Sequence, residues 1–168
     1  GCEMNFVNDS KLYKWFVIVT FAVGVILGAV SFYSILHVEP KITKLLDAGS
    51  AVAVPENADE AAKKAADAKV SEYFSEAYKL LRNPQIFARY EYFDAIGMPV
   101  KSIIKRMDTM VFNKEPIPRD YRVYLNILLE RRELGSRLGR NTMIFFFAAA
   151  FIGCGFWMFE RRRSRSAA

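Results

Sequence analysis

Cysteine and histidine are nearly absent from this 168-residue chain, which contains two cysteines and one histidine. The cysteines, Cys2 and Cys154, lie at opposite ends of the sequence, so the pattern excludes the disulfide framework of a small secreted domain. One histidine and two cysteines are also too few for a His/Cys zinc site. Neither a disulfide nor a zinc ion is therefore expected to hold this chain together.

Charged residues are absent from two long apolar blocks near the ends of the chain. The first block covers residues 15–38 and the second covers residues 142–159. At 1.5 Å per residue, helices of these lengths reach about 36 and 27 Å, against a hydrocarbon core of about 30 Å. A backbone in lipid must satisfy its own hydrogen bonds, so each block is predicted to be a transmembrane helix. The first block is too long for the apolar region of a signal peptide.

The flanks of the two blocks support the same interpretation. Tyr13, Trp15 and Trp157 lie at block ends, where amphipathic rings favour the membrane interface. The chain is therefore predicted to be an all-α membrane protein with both termini on one side. Lysine and arginine counts at the flanks are too similar to decide its orientation. Its predicted parts are an N-terminal segment (1–14), a first span (15–38), an extramembrane connection (39–141), a second span (142–159) and a basic tail (160–168).

The connection is predicted to consist of short amphipathic helices. Apolar residues recur there at spacings of three and four, whereas no alternating run predicts a strand. Asn57 is a candidate N-cap with Glu60 three residues later, and residues 48–57 are expected to form a loop broken by Pro55. The helices could pack on one another or lie along a larger neighbour, and an aromatic cluster (Phe87, Tyr90, Tyr92, Phe93) fits either arrangement. The four helices are expected near residues 57–82, 84–96, 99–113 and 119–140.

Small residues recur every four positions inside both apolar blocks. Thr20, Gly24 and Gly28 do so in the first block, and Ala149 and Gly153 do so in the second. Small side chains let helix backbones approach closely in lipid, where dispersion replaces the hydrophobic effect as the attraction. The pattern predicts that both helices pack against another helix. It does not decide whether they pack against each other or against a foreign chain.

Arginines flank the second block on both sides and are candidate ligands of lipid headgroups. A nearby membrane surface offers phosphate groups, and no fold motif indicates nucleic acid. Anionic lipids are therefore predicted partners, with a bound phospholipid such as cardiolipin as the non-protein ligand. The candidate headgroup residues are Arg131, Arg132, Arg137, Arg140, Arg161, Arg162 and Arg163.

Groups suited to catalysis are scarce in this sequence. His37 is the one ionisable residue within the two blocks, and it lies at the headgroup end of the first. The connection has neither His nor Cys, and its carboxylate pairs Glu72/Glu76 and Glu91/Asp94 lack the Glu-x-x-His partners of a di-metal site. No catalytic, cofactor-binding or metal-binding residue is predicted, and the chain is not expected to be an enzyme.

Two functions remain as alternatives. The favoured one is a non-catalytic accessory subunit of a large inner-membrane complex, such as a respiratory-chain complex or ATP synthase. A pI of about 9.4 and the basic tail fit the anionic cardiolipin of the mitochondrial inner membrane, although plastid, endoplasmic-reticulum and bacterial membranes stay open. The alternative is a membrane-anchored adaptor or receptor whose residues 39–141 bind a soluble partner. A channel is disfavoured because the blocks carry no charge.

Overall fold

A computed structural model describes residues 4–83 and 100–167, with side chains from residue 10 onward in those ranges. The described residues form helices and no strand, and two of the helices are long and apolar enough to cross a membrane. These features confirm the all-helical prediction for that part of the chain. The helix predicted near 84–96 and the aromatic cluster lie outside it. The helices are α1 (Met4–Tyr33), α2 (Glu39–Ala51), α3 (Glu60–Leu81), α4 (Val100–Phe112) and α5 (Arg122–Ser166).

The first long helix does not end at the last apolar residue of its block. A π-helical turn, Ser34–Val38, joins α1 to α2, and the Glu39 N–H donates to the Ser34 carbonyl five residues earlier. Pro40 explains the wider turn, because proline lacks an N–H and its ring would clash with the carbonyl four residues before it. The helix therefore continues to Ala51, and the prediction of a loop over residues 48–57 is wrong for its first four residues.

The last helix is continuous over 45 residues, from Arg122 to Ser166. The sequence predicts a helix over 119–140 that can either bend or continue through Arg140 into the span over 142–159, and the structure shows the continuation. A short 3₁₀ turn, Arg119–Tyr121, precedes the helix. Gly135 and Gly139, which would permit a bend, lie inside the helix without ending it. Near its start, α5 buries Leu125 and Leu128, whereas Leu134 is exposed.

The structure divides into two compact units. The terminal unit comprises Gly1–Ser31 with Leu138–Ala168, and the central unit comprises Phe32–Arg137. In the terminal unit, the apolar parts of α1 and α5 run antiparallel, because Tyr13 stacks on Phe156 while Gly24 meets Phe147. This unit is a helical hairpin made from the second apolar block and most of the first.

The central unit has a hydrophobic core of its own. Helices α2, α3 and α4 and the first turns of α5 contribute to it, so the connecting helices do pack on one another. In α3 the buried face includes Phe74 and Tyr78, and Asp59 caps the helix by accepting the Ala62 N–H at 2.9 Å. The predicted cap, Asn57, precedes the helix without capping it. Fully buried core side chains include Ile42, Leu46, Val70, Phe74, Leu81, Val100, Leu125 and Leu128.

Candidate functional site

Gly24 lies where α1 meets an aromatic ring of α5. A Cβ atom built at Gly24 would stand 2.6 Å from Cε1 and 2.7 Å from Cδ1 of Phe147, which is closer than carbon atoms pack. The Phe147 ring also packs on Phe21, with ring centroids 5.5 Å apart. The ring is therefore held between two residues of α1, and only glycine leaves room for it at position 24.

The other small residues make reciprocal contacts along the same hairpin. A Cβ at Gly28 would meet the Met143 side chain, with Cγ at 3.2 Å, and a Cβ at Gly153 would lie 2.9 Å from the Phe16 ring. No atom of the described residues lies within 4 Å of a Cβ built at Gly155. The glycines of the two predicted motifs thus face the other apolar helix of the same chain.

Thr20 and Ala149 contribute differently from the glycines. Thr20 is buried, and its hydroxyl donates to the Phe16 carbonyl of its own helix at 2.6 Å. Such a bond satisfies the hydroxyl without a partner helix, so Thr20 acts as a small packing residue. Ala149 is half-buried, whereas Ala150 is buried, so Ala150 is the alanine most enclosed by the hairpin.

A groove of about 590 Å³ opens along the hairpin near the chain termini. Small side chains of α5 line it alongside aromatic rings from both helices. Tyr13 of α1 and Phe156 of α5, whose ring centroids are 6.1 Å apart, both line it. The lining includes Phe16, Phe145, Ala148, Ala149, Gly153 and Phe156.

The arginines predicted to contact headgroups do not share one environment. Arg161, Arg162 and Arg163 are exposed, and the Arg161 guanidinium lies 5.9 Å from the centre of the Trp157 ring. Arg137 is exposed and 3.8 Å from the Glu133 carboxylate, an ion pair one helical turn apart. Two more, Arg131 and Arg140, are half-buried. The exposed group at the C-terminal end of α5 is the one best placed for headgroups.

The burial of Arg132 contradicts the prediction that it contacts a lipid headgroup. Its side chain is buried in the central unit, with 3% of the residue exposed. Its Nη1 donates to the carbonyl oxygen of Asn83 at 2.9 Å and to that of Leu81 at 3.5 Å. These carbonyls lie at the C-terminal end of α3, where a cation is favoured by the helix dipole. Arg132 therefore closes the end of α3 inside the protein and is not available to a lipid phosphate.

A buried polar cluster of the central unit was missed by the sequence analysis. Glu39 and Ser136 are buried, and the hydroxyl oxygens of Ser136 and Ser34 lie within hydrogen-bond distance, 3.1 Å apart. Burial raises the pKa of Glu39 from its ordinary value of 4.5, while its hydrogen bond with Ser136 opposes that rise. Glu39 Oε1 and Arg132 Nε have no hydrogen-bond partner among the described residues. The one sign of this buried cluster in the sequence was the charge of Glu39, which lies next to Pro40 at the end of an apolar block.

Other reactive groups are dispersed. His37 is exposed with its ring 5.4 Å from that of Tyr33, and Cys154 is a half-buried free thiol. Glu72 and Glu76 are exposed on α3, and Glu91 and Asp94 lie outside the described residues. Across residues 4–83 and 100–167, no group of three His, Cys, Asp or Glu side chains could hold a metal ion.

A second cavity, of about 620 Å³, opens on the surface of the central unit. The Tyr78 hydroxyl donates to the Ile104 carbonyl at 3.2 Å and to the Asp108 carboxylate beside it. Arg82 Nε lies 3.2 Å from the same carboxylate. Phe112, at the end of α4, also lines this cavity and is 88% exposed.

No protein-family model, curated protein or solved structure matches the chain. The helical hairpin of the terminal unit and the packed core of the central unit are therefore the features that bear on its function.

Proposed function

We propose that the chain is a non-catalytic accessory subunit of a large membrane complex, anchored by its helical hairpin. The observation that carries this proposal is the reciprocal packing of Gly24 and Gly153 against Phe147 and Phe16. Interlocking small residues and rings are typical of helices that associate in lipid. The hairpin is thus suited to act as one preassembled membrane element.

The outer faces of the hairpin support insertion into a membrane. In the most apolar windows of the two long helices, only 28% and 11% of residues are buried. Phe145 and Phe151, on α5, are 69% and 81% exposed. An apolar surface of this kind is unfavourable in water and favourable in hydrocarbon. Insertion of residues 15–38 and 142–159 would place both termini on one side and residues 39–141 on the other, as an extramembrane connection of shorter helices.

The proposed role as a subunit rests on the side chains that the hairpin exposes on its outer surface. Apart from Tyr33 and His37, the exposed positions within the two spans are apolar, so they can contact lipid or the apolar helices of neighbouring subunits. The mitochondrial inner membrane is the proposed location, because the basic chain and its Arg161–Arg165 tail complement anionic cardiolipin. A respiratory-chain complex or ATP synthase is the proposed assembly.

Native electrophoresis tests the subunit proposal. Native membranes are solubilised in mild detergent, separated on a native gel, and each slice is quantified by mass spectrometry. The chain should migrate with a fixed set of other membrane proteins, far above its 19.2 kDa mass. Migration as a free monomer under conditions that keep known complexes intact would contradict the proposal.

The adaptor function remains a second candidate because the central unit has its own core. Val70, Phe74 and Leu128 are at most 1% exposed, and the exposed Phe112 beside an open cavity offers a contact for a soluble partner. Replacing residues 15–31 and 142–159 by an unrelated helical hairpin separates the two functions. An adaptor would keep its partner in this chimera, whereas a subunit held through its spans would lose its assembly.

A further inference from the structure

The groove of the terminal unit is about as long as one leaflet of a membrane is deep. Its lining on α5 runs from Phe145 to Phe156, which is roughly 16 Å at 1.5 Å per residue. The hydrocarbon core of a bilayer is about 30 Å thick, so one leaflet occupies about half of it. The groove reaches the end of the hairpin nearest both chain termini, because Leu12 and Tyr13 also line it.

The shape of the groove fits a flexible hydrocarbon chain. Its volume of about 590 Å³ lies within the range of roughly 300–1,000 Å³ typical of small-molecule sites. Ala148, Ala149 and Gly153 are small, so they leave room on the α5 side of the groove. The rings of Phe16 and Phe145 border it. A partner helix, about 10 Å wide with its side chains, would need a contact face along both spans, whereas the α1 lining is confined to Leu12, Tyr13 and Phe16. An acyl chain needs only a groove about as long as one leaflet is deep.

Positive charge surrounds the end of the hairpin next to the groove. Lys11 and Lys14 on α1 are exposed there, within one turn of Tyr13. Arg161 and Arg162 follow Phe156 on α5 and are also exposed. Trp157 holds the Arg161 guanidinium over its ring at 5.9 Å. In sequence, segments 1–14 and 160–168 contain three acidic residues, Glu3, Asp9 and Glu160, which their six lysines and arginines outnumber. A phosphate at this level would meet a net positive surface.

We propose that this groove binds one acyl chain of an anionic phospholipid, whose phosphate is held by the basic residues at the termini of the hairpin. Phosphatidylglycerol and cardiolipin share the required chemistry, a phosphodiester without a compensating amine. The proposal depends on insertion of the hairpin into a membrane, but not on the role of the chain as a subunit.

Native mass spectrometry of the purified full-length protein tests the site. Phosphatidylglycerol and phosphatidylcholine are titrated separately into detergent-solubilised protein, and the dissociation constant of the first bound lipid is measured. Phosphatidylglycerol should bind at least tenfold more tightly. Ala149→Phe fills the groove and should remove this preference, whereas the matched change Ala22→Phe, at an exposed α1 position that does not line the groove, should preserve it.

A charge variant keeps the test informative if Ala149→Phe misfolds. Arg161→Gln with Arg162→Gln changes exposed residues and should lower the affinity for phosphatidylglycerol towards that for phosphatidylcholine. Equal binding of the two lipids by the unmodified protein, or unchanged preference in both variants, would overturn the proposal. Vesicle flotation separates the possible failures: a chain that does not float with liposomes contradicts membrane insertion itself, whereas one that floats without lipid preference contradicts only this site.

Discussion

Adding one methyl group at Gly24 should weaken the hairpin, whereas the same addition at Gly155 should not. The new Cβ in Gly24→Ala would lie 2.6 Å from the Phe147 ring, which Phe21 contacts from another position on α1. Overpacking of this kind costs about 1–3 kcal/mol, and replacing helical glycine by alanine returns about 1 kcal/mol. The net loss in free energy of unfolding for Gly24→Ala is therefore about 0–2 kcal/mol.

Gly155→Ala isolates the steric contribution. This position offers open space to a Cβ among the described residues, so only the gain in helix propensity applies. Subtracting one variant from the other cancels that gain and leaves a difference of about 1–3 kcal/mol in favour of Gly155→Ala. Gly153→Ala, with its Cβ 2.9 Å from the Phe16 ring, should fall on the destabilised side.

Denaturation with increasing dodecyl sulfate in mixed micelles measures these differences. Trp15 and Trp157, one on each helix of the hairpin, report on unfolding by fluorescence. Gly24→Ala and Gly153→Ala should unfold at lower dodecyl sulfate fractions than Gly155→Ala. If all three variants unfold together within about 0.5 kcal/mol, the two helices do not pack through these glycines, and the argument from close approach is refuted.

Three further predictions concern the central unit. Arg132→Ala removes a buried guanidinium that bonds the Asn83 carbonyl, so the free energy of unfolding should fall by about 2–3 kcal/mol, whereas Arg131→Ala, at a half-buried position, should change it by less. Gly49→Ala should lower the thermal midpoint, because its Cβ would stand 2.6 Å from the fully buried Phe74 ring; an unchanged midpoint would contradict the α2–α3 packing. Since burial raises the pKa of Glu39, the folded chain binds this proton more tightly than the unfolded chain, and stability should decline as pH rises from 4.5 through the raised pKa. Glu39→Gln should flatten that decline in denaturation curves recorded across pH, and an identical decline in both proteins would show that other groups cause it.

The long helices were predictable because their signal is composition over many residues. Two uncharged blocks of span length specify helices whatever their neighbours are. The continuation of the first helix beyond its apolar block was not predictable in the same way. Pro40 is usually a boundary, yet here the π-helical turn at Ser34–Val38 absorbs it and the helix reaches Ala51. Gly49 resembled a loop residue, but it is a glycine of close approach between α2 and α3, as its contact with Phe74 shows.

The residues of the candidate site were predictable from the sequence, but the helix that they contact was not. A small-residue spacing marks a helix face, so Gly24, Gly28 and Gly153 could be identified without a structure. Which helix they face depends on tertiary contacts that spacing does not encode. Arg132 illustrates the same limit: it follows another arginine and lies near a span, but the helical register turns it towards the end of α3. Arg131, one residue earlier, is turned away from that site.

Cysteine crosslinking inside a membrane is the most direct test of whether the two apolar helices form the hairpin. Tyr13→Cys and Phe156→Cys are combined in a chain with Cys2→Ser and Cys154→Ser, and native membranes are treated with a short thiol crosslinker. Because the two replaced rings stack at 6.1 Å, the cysteines should join within one chain, whereas Tyr13→Cys with Phe151→Cys should not. Absence of the first crosslink, or crosslinks only between differently tagged copies, would contradict the hairpin on which the proposed function depends.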